Sequence, residues 1–216
     1  RKNRLFVGKS ERAAGIILAL TKILENEIWE REILQEQLHI IEDKEKEAKH
    51  AAFHDPLTGL PNRALFKDRL EIGLELAKRH CWALAVMYLD IDAFKAINDN
   101  YGHDIGDSVL CIISERLKAN TRSDDTVCRY GGDEFLFLLL EVKNKQAVEK
   151  IAQSLLKIIQ QPCVVKKSDS VMRLLVNSSI GISMYPQDAE TVDDLINCAD
   201  QAMYQSKKSK SGYSFV

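Results

Sequence analysis

Residues 10–53, about 44 positions without a proline, constrain the fold of this chain more than any other feature. The stretch holds one glycine, Gly15, and is rich in Glu, Lys, Leu and Ile, most of them good helix formers. At ~1.5 Å per residue it makes a rod of about 66 Å, roughly twice the ~30 Å span of a small domain. A second copy of the same helix is its natural partner, so a parallel dimeric coiled coil is expected over 10–53. Steps of three and four place Ile17, Leu20, Leu24, Glu27, Arg31, Leu34, Leu38, Ile41, Glu45, Ala48 and Ala52 on the seam. Ile23, Ile28, Ile33 and Ile40 fall off it, so a shifted register stays open over part of the length. Residues 1–9 are too short to fold alone. With no methionine at the start, they read as the tail of an upstream sensor domain in a longer parent protein.

The helical pattern breaks at HDPLTGLPNR, residues 54–63, where two prolines and a glycine force a compact turn. A domain over 54–216 follows. Its pattern predicts helices at 63–79, about 104–120, 145–161 and 191–208. Strands are predicted at 82–91, 126–130 and 135–141, the last two meeting at Gly131-Gly132, and a strand pair within 163–185. The strand at 135–141 is apolar almost throughout, which implies burial on both faces. Helices alternating with strands that include a tight hairpin define an α/β domain with a mixed sheet.

A formal net charge of −2 gives no reason to expect DNA or an acidic membrane as the main partner. The longest apolar run, 13–20, is far below the ~20 residues a bilayer span needs, so no membrane contact is expected from this piece. Cys81, Cys111, Cys128, Cys163 and Cys198 are widely spaced with no CxxC pair, as expected of reduced thiols, mostly in the core, of a cytoplasmic protein.

Chemistry concentrates in two acidic elements. In RYGGDEF, residues 129–135, Gly131 and Gly132 make a turn that leaves the following acids accessible at a sheet end. Consecutive strand residues point to opposite faces, so only something at the strand tip engages both Asp133 and Glu134. Alone, such a turn is often just a solvated hairpin. The second element is YLDIDAFKAINDNYGHDIGD, residues 88–107. Asp90 ends an apolar strand, where an unpaired carboxylate is costly and calls for a cation. Oxygen ligands suit Mg²⁺, and Asp90 with Asp133 and Glu134 makes a candidate nucleotide-dependent metal site; two ions about 4 Å apart suit phosphoryl chemistry.

The phrases DPLTGLPNR (55–63), DIDAFKAINDNYGHDIGD (90–107), RYGGDEF (129–135), NSSIGIS (177–183) and ADQAMYQSK (199–207) resemble the GGDEF family of diguanylate cyclases, in the family's order and spacing. The resemblance covers residues 55 to about 215. It implies a palm-like mixed sheet flanked by helices, as in nucleotidyl cyclases, preceded here by the long coiled-coil helix. It also implies condensation of two GTP into cyclic di-GMP with release of pyrophosphate, one GTP per protomer of a homodimer, with Mg²⁺, or Mn²⁺ in its place, two ions per site. By motif position the metal ligands are Asp90, the Ile91 carbonyl, Asp133 and Glu134, with Asp133 a candidate for orienting or accepting the proton. Gly131 and Gly132 let the backbone approach the nucleotide, and Lys95 meets the triphosphate. Asn98 and Asp107 read guanine, whose N1 and N2 donors suit a carboxylate, and Phe94 joins the substrate set. His103 is read as a hydrogen-bonding group that shapes the base pocket.

Arg122 and Asp125, an RxxD pair before the hairpin, match the family's product-inhibition site; the local alternative is a surface ion pair of little consequence. Lys207 matches a phosphate contact. The family's following GRN is replaced by KSKSGY, so either Lys210 supplies the second charge or Ser211 fills its place without one; otherwise this is a solvated Lys tail capping the helix. Asp55 and Arg63 read as a structural pair, and Met203 and Tyr204 as core-facing. Two alternatives to the enzyme remain: a catalytically silent module that binds GTP or cyclic di-GMP for regulation, and a structural dimerisation module.

Overall fold

The computed structural model describes the backbone of residues 2–167 and 170–216, and side chains from position 15 onward except 17, 23, 25 and 167–169. Two units result, Arg1–Ala52 and Phe53–Val216. The first is a single helix, α1 (Lys2–Phe53), with no break at residue 10, so residues 2–9, expected as the tail of an upstream domain, are continuous with it. Its large apolar side chains stand in solvent: Leu20, Leu24, Leu34, Leu38 and Ile41 are each 54–64% exposed. At 100° per residue these five fall on one stripe with Ile16, while Leu18, Trp29 and Ile40 form another on the far side. The side chains of seam residue Ile17 and of Ile23 lie outside the described residues.

In the second unit the chain turns at residues 54–62 and enters α2 (Arg63–His80), where Asn62 caps the helix by accepting from the Ala64 and Leu65 N–H groups. The rest follows as β1 (Ala83–Ile91), α3 (Phe94–Tyr101), α4 (His103–Ala119), β2 (Thr126–Gly131), β3 (Glu134–Val142), α5 (Lys145–Ile159), β4 (Cys163–Lys167), β5 (Ser170–Leu174), β6 (Ser178–Tyr185), α6 (Val192–Ser209) and β7 (Tyr213–Phe215). Five strands form a sheet ordered β2-β3-β1-β6-β7, antiparallel except for the parallel β6–β7 pair; β4 and β5 make a separate ribbon. The sheet is mixed, as expected. Where a strand pair was predicted over 163–185, the structure has three strands, split between two sheets.

Period-two alternation assigns the strand residues to two cores. Met87, Leu89, Phe135, Phe137, Ile180 and Ile182 face α4 and α5, whereas Leu84, Val86, Leu136 and Leu138 face α2 and α6. The central strands are apolar throughout because both faces are covered. Helix α6 lies directly on β6: a Cβ on Gly181 would sit 1.9 Å from the Ala199 carbonyl oxygen and 2.1 Å from the Met203 nitrogen. That close approach brings the C-terminal end of α6 over the end of β1.

Candidate active site

The β2–β3 hairpin turns around Gly132, at φ +52°, and Asp133; Gly131 pairs with Glu134. Asp133 therefore belongs to the turn, and only Glu134 starts the strand. Asp90, at the end of β1, is the cross-strand partner of Glu134. The Ile91 N–H donates to the Asp133 carbonyl at 3.2 Å, tying the turn to β1. Three acids thus gather at one sheet end, Asp90 and Glu134 as cross-strand partners and Asp133 in the turn tied to β1.

Their charges are not neutralised by one another. Burial pushes the Asp133 carboxyl above its ordinary value; a backbone N–H opposes this and the Asp90 charge adds to it. Burial likewise raises Glu134, partly offset by a hydrogen bond from the buried Tyr88 hydroxyl and reinforced by Asp90 and Asp133. Burial and Glu134 together push Tyr88 upward, so it stays a donor. Asp90 takes a cation from the chain itself, the Lys207 ammonium on α6, at 2.5 Å. Among the described residues the acids do not close into a three-ligand cluster. Half-buried, mutually repelling carboxylates are nonetheless a donor set that fits a hard divalent cation.

Behind the turn, Arg129 donates from Nε to the Gly132 carbonyl at 2.9 Å and from Nη1 to both Asp55 carboxylate oxygens at 3.0 and 3.2 Å. Asp55 also accepts from Thr58 N–H and Oγ1 at 2.9 and 2.6 Å. The 54–62 turn and the hairpin are therefore clamped together. Asp55 does not pair with Arg63, as the sequence suggested; Arg63 stacks on the Tyr130 ring at 4.6 Å, because α2 carries it past the turn.

Beside this acidic end, α3 and α4 form an angle at Gly102. Phe94 is buried, Lys95 exposed in the first turn of α3, and Asn98 half-buried, its Oδ1 fully enclosed without a partner among the described residues. His103 opens α4 and Asp107 follows one turn later, both exposed. Cys111, one turn beyond Asp107, donates to the Leu57 carbonyl at 3.4 Å, so this face of α4 adjoins the 54–62 turn.

Residues 52–212 match the family "Diguanylate cyclase, GGDEF domain". The chain belongs to the GGDEF family. It is 42% identical over 171 residues to the bifunctional diguanylate cyclase/cyclic di-GMP phosphodiesterase MucR of Pseudomonas aeruginosa, covering 79% of this chain and 24% of MucR. It is 40% identical over 172 residues to the diguanylate cyclase TpbB of the same species, covering 80% and 39%. The crystal structure of the TpbB GGDEF domain superposes with a TM-score of 0.67 at 40% identity, covering 70% of this chain and 92% of that one. The chain thus spans between a quarter and two fifths of the curated relatives it matches.

The GGDEF domain places the remaining expected residues in two other regions. Lys210 caps α6 in a left-handed conformation at φ +54° and lines, with Lys207, Asp92, Asn177 and Ser179, a groove of about 530 Å³ next to the acidic end. Arg122 and Asp125 lie before β2, at the opposite end of that strand from the hairpin; six residues put them roughly 20 Å away. They line a separate groove of about 510 Å³ with Lys143, Lys150 and Glu141. Asp125 accepts the Leu140 N–H at 3.0 Å, and burial holds its carboxyl above the ordinary value against that bond and the Arg122 charge.

Met203 is buried as expected, but Tyr204 is 54% exposed, under Lys208, because α6 turns only one face to the sheet. All five cysteines are free, with Cys128 and Cys163 buried, Cys111 and Cys198 half-buried and Cys81 exposed, so only two are core thiols. No helix among the described residues is long and apolar enough to cross a membrane. Tyr88 was missed by sequence reasoning, although it precedes Asp90 by two and so shares its strand face. Lys207 was expected at phosphate; its contact with Asp90 left no sequence signal.

Proposed function

We propose that the domain condenses two GTP molecules into cyclic di-GMP, each of two protomers holding one GTP. The observation that carries this reading is the gathering of Asp90, Asp133 and Glu134 at a sheet end beside Asn98 and Asp107, in a GGDEF family member. Asp90, the Ile91 carbonyl, Asp133 and Glu134 hold Mg²⁺, or Mn²⁺ in its place, two ions per site. The ions supply charge neutralisation on the triphosphate and make the 3′-hydroxyl more acidic. Asn98 and Asp107 hold the guanine edge, and Phe94 and His103 shape the pocket around it. Lys95, Lys207 and Lys210 meet phosphate oxygens, while Gly131 and Gly132 let the backbone come close.

Asp133 orients or accepts the proton leaving the 3′-hydroxyl. That oxygen attacks the α-phosphate bound to the partner protomer, and pyrophosphate leaves. Catalysis is mainly positioning, and one site is half a reaction centre. Two copies of α1 joined through their exposed apolar stripes set the distance and rotation of the half-sites, and exchange between stripes is the regulatory step. Arg122 and Asp125 take the product, the arginine gripping phosphate or a guanine edge in bidentate fashion. Free thiols and a GTP substrate support a cytoplasmic location for the domain, with its signal coming from an upstream sensor in the parent protein.

Incubation of the chain with GTP and Mg²⁺, with and without Asp133→Ala, tests the reading by following cyclic di-GMP. Product from the intact chain and none from the variant is expected. GTP binding without pyrophosphate release would place the protein among silent regulatory modules instead.

A further inference from the structure

Gly106 lies in the first turn of α4 and is buried. Glycine is a poor helix former, and its φ here is not in the range that favours glycine. Space is what excludes a side chain. A Cβ at this position would stand 1.9 Å from Asn98 Oδ1, 3.0 Å from Asn98 Cγ and 3.2 Å from Phe94 Cζ. Phe94, 8% exposed within the core, does not give way, so a Cβ here would displace the Asn98 amide, whose Oδ1 is enclosed with no hydrogen-bond partner among the described residues. The Asn98 amide oxygen is therefore held by packing against the bare Cα of Gly106, with no hydrogen bond from the described residues. The next residue is Asp107, so one short segment carries both the seat for one proposed base reader and the other reader itself.

We infer that Gly106 is a positioning residue for base selectivity, its missing Cβ holding the Asn98 amide at the angle from which it meets guanine together with Asp107. This rests on the reading of Asn98 as a guanine contact. Any side chain at 106 rotates that amide out of place and weakens guanine binding, while contacts to phosphate stay intact. A purely structural glycine would instead lower affinity for all nucleotides together, or only stability.

Calorimetry with 3′-deoxy-GTP and 3′-deoxy-ATP in Mg²⁺ tests this on the full chain, because neither nucleotide can condense and the result is independent of turnover. Gly106→Ala is expected to weaken 3′-deoxy-GTP about tenfold and 3′-deoxy-ATP less than twofold, the size of loss that follows when a polar base contact is left unmade. Asn98→Ala is expected to lower the guanine preference by a similar factor. The double variant should fall no further, since the oxygen that the new methyl strikes is gone. A Gly106→Ala chain that binds 3′-deoxy-GTP within twofold of the unsubstituted one overturns the inference, as does a double variant whose loss is the product of the two singles. If Asn98→Ala leaves the base preference unchanged, the Asn98 assignment fails and the Gly106 inference with it, an outcome distinct from additivity. Should Gly106→Ala not fold, a double variant that folds with the affinity of Asn98→Ala supports the inference, and one that also fails to fold overturns it.

Discussion

Asp55 and Asp133 lie on either side of the same hairpin, and the protein treats their charges in opposite ways. Burial alone would raise Asp55, but hydrogen bonds from Thr58 and Arg129 outweigh it and hold its carboxyl below the ordinary value. Asp133 has burial without an equal counterweight, and its carboxyl is held above. The paired acid locks the turn to the hairpin and contributes to stability. Asp133 and Glu134 at the tip, raised by burial and mutual repulsion, work against stability, which is the mark of groups kept for a ligand and not for the fold. Arg129 joins the two regions, one edge on Asp55 and the other on the Gly132 carbonyl.

The sharpest way to break this contrast is Asp133→Asn. Product formation should fall at least a hundredfold, about 3 kcal/mol or more of lost transition-state stabilisation. The thermal midpoint should stay level or rise, because a repelling charge has gone. A large drop in midpoint would mean that Asp133 is a structural acid like Asp55.

Arg129→Ala should act in the reverse sense, on stability first. The Arg129 and Asp55 side chains are 12% and 18% exposed, and breaking a largely buried pair leaves its partner stranded. A loss of about 2–3 kcal/mol in urea denaturation is expected, below the roughly 3–5 kcal/mol of a fully buried pair because some solvent reaches these side chains. A loss under 0.5 kcal/mol would reduce the clamp to a surface contact.

pH separates the two regions a third way. Asp55 is depressed in the folded state, so its contribution is present above the ordinary carboxylate pKa of about 4 and is lost as pH falls below it. Asp133 and Glu134 are raised, so the folded state holds their protons longer than the unfolded chain. Stability from them is present below about pH 4 and is lost as pH rises above it. Without divalent metal, replacing Asp133 and Glu134 by Asn and Gln should make stability rise more steeply, or fall less, between pH 4 and 6. The change per group is under about 1.4 kcal/mol per pH unit, the limit for one full proton. An unchanged slope would show that the acids at the tip are not strained by their surroundings.

What the sequence made legible was what is written locally. The proline-free run gave α1, the two glycines gave the hairpin, and the apolar run gave a strand buried on both faces. Helix α3 was not expected: it is eight residues long and begins after Ala93 in a left-handed conformation with no side-chain cap, so its formation depends on packing against α4. β7 has three residues and pairs only because α6 returns the chain to β6. Asp55–Arg129 and Lys207–Asp90 join residues 74 and 117 positions apart, and no periodicity encodes such contacts. The same limit hid the choice of partner for Asp55: Arg63 was near in sequence, Arg129 near in space.

The smallest expected effect comes from Lys207, which stands between the two regions in kind, pairing an acid of the tip in the way Arg129 pairs Asp55. Burial would lower its ammonium pKa, but the hydrogen bond and charge of Asp90 outweigh this and raise it. The lysine side chain is 42% exposed against 13% for Asp90, so water screens the pair and Lys207→Met should change stability by less than about 1 kcal/mol. Its consequence should appear in metal affinity, because an ammonium at 2.5 Å competes with any cation approaching the same oxygen. Without nucleotide, Mn²⁺ binding followed by electron paramagnetic resonance should strengthen a few-fold in the variant; at ~1.4 kcal/mol per tenfold this stays within the worth of an exposed pair. Unchanged or weaker Mn²⁺ binding would mean that Lys207 helps to hold the metal region together instead of occupying it, and the likeness to Arg129 would then extend to function.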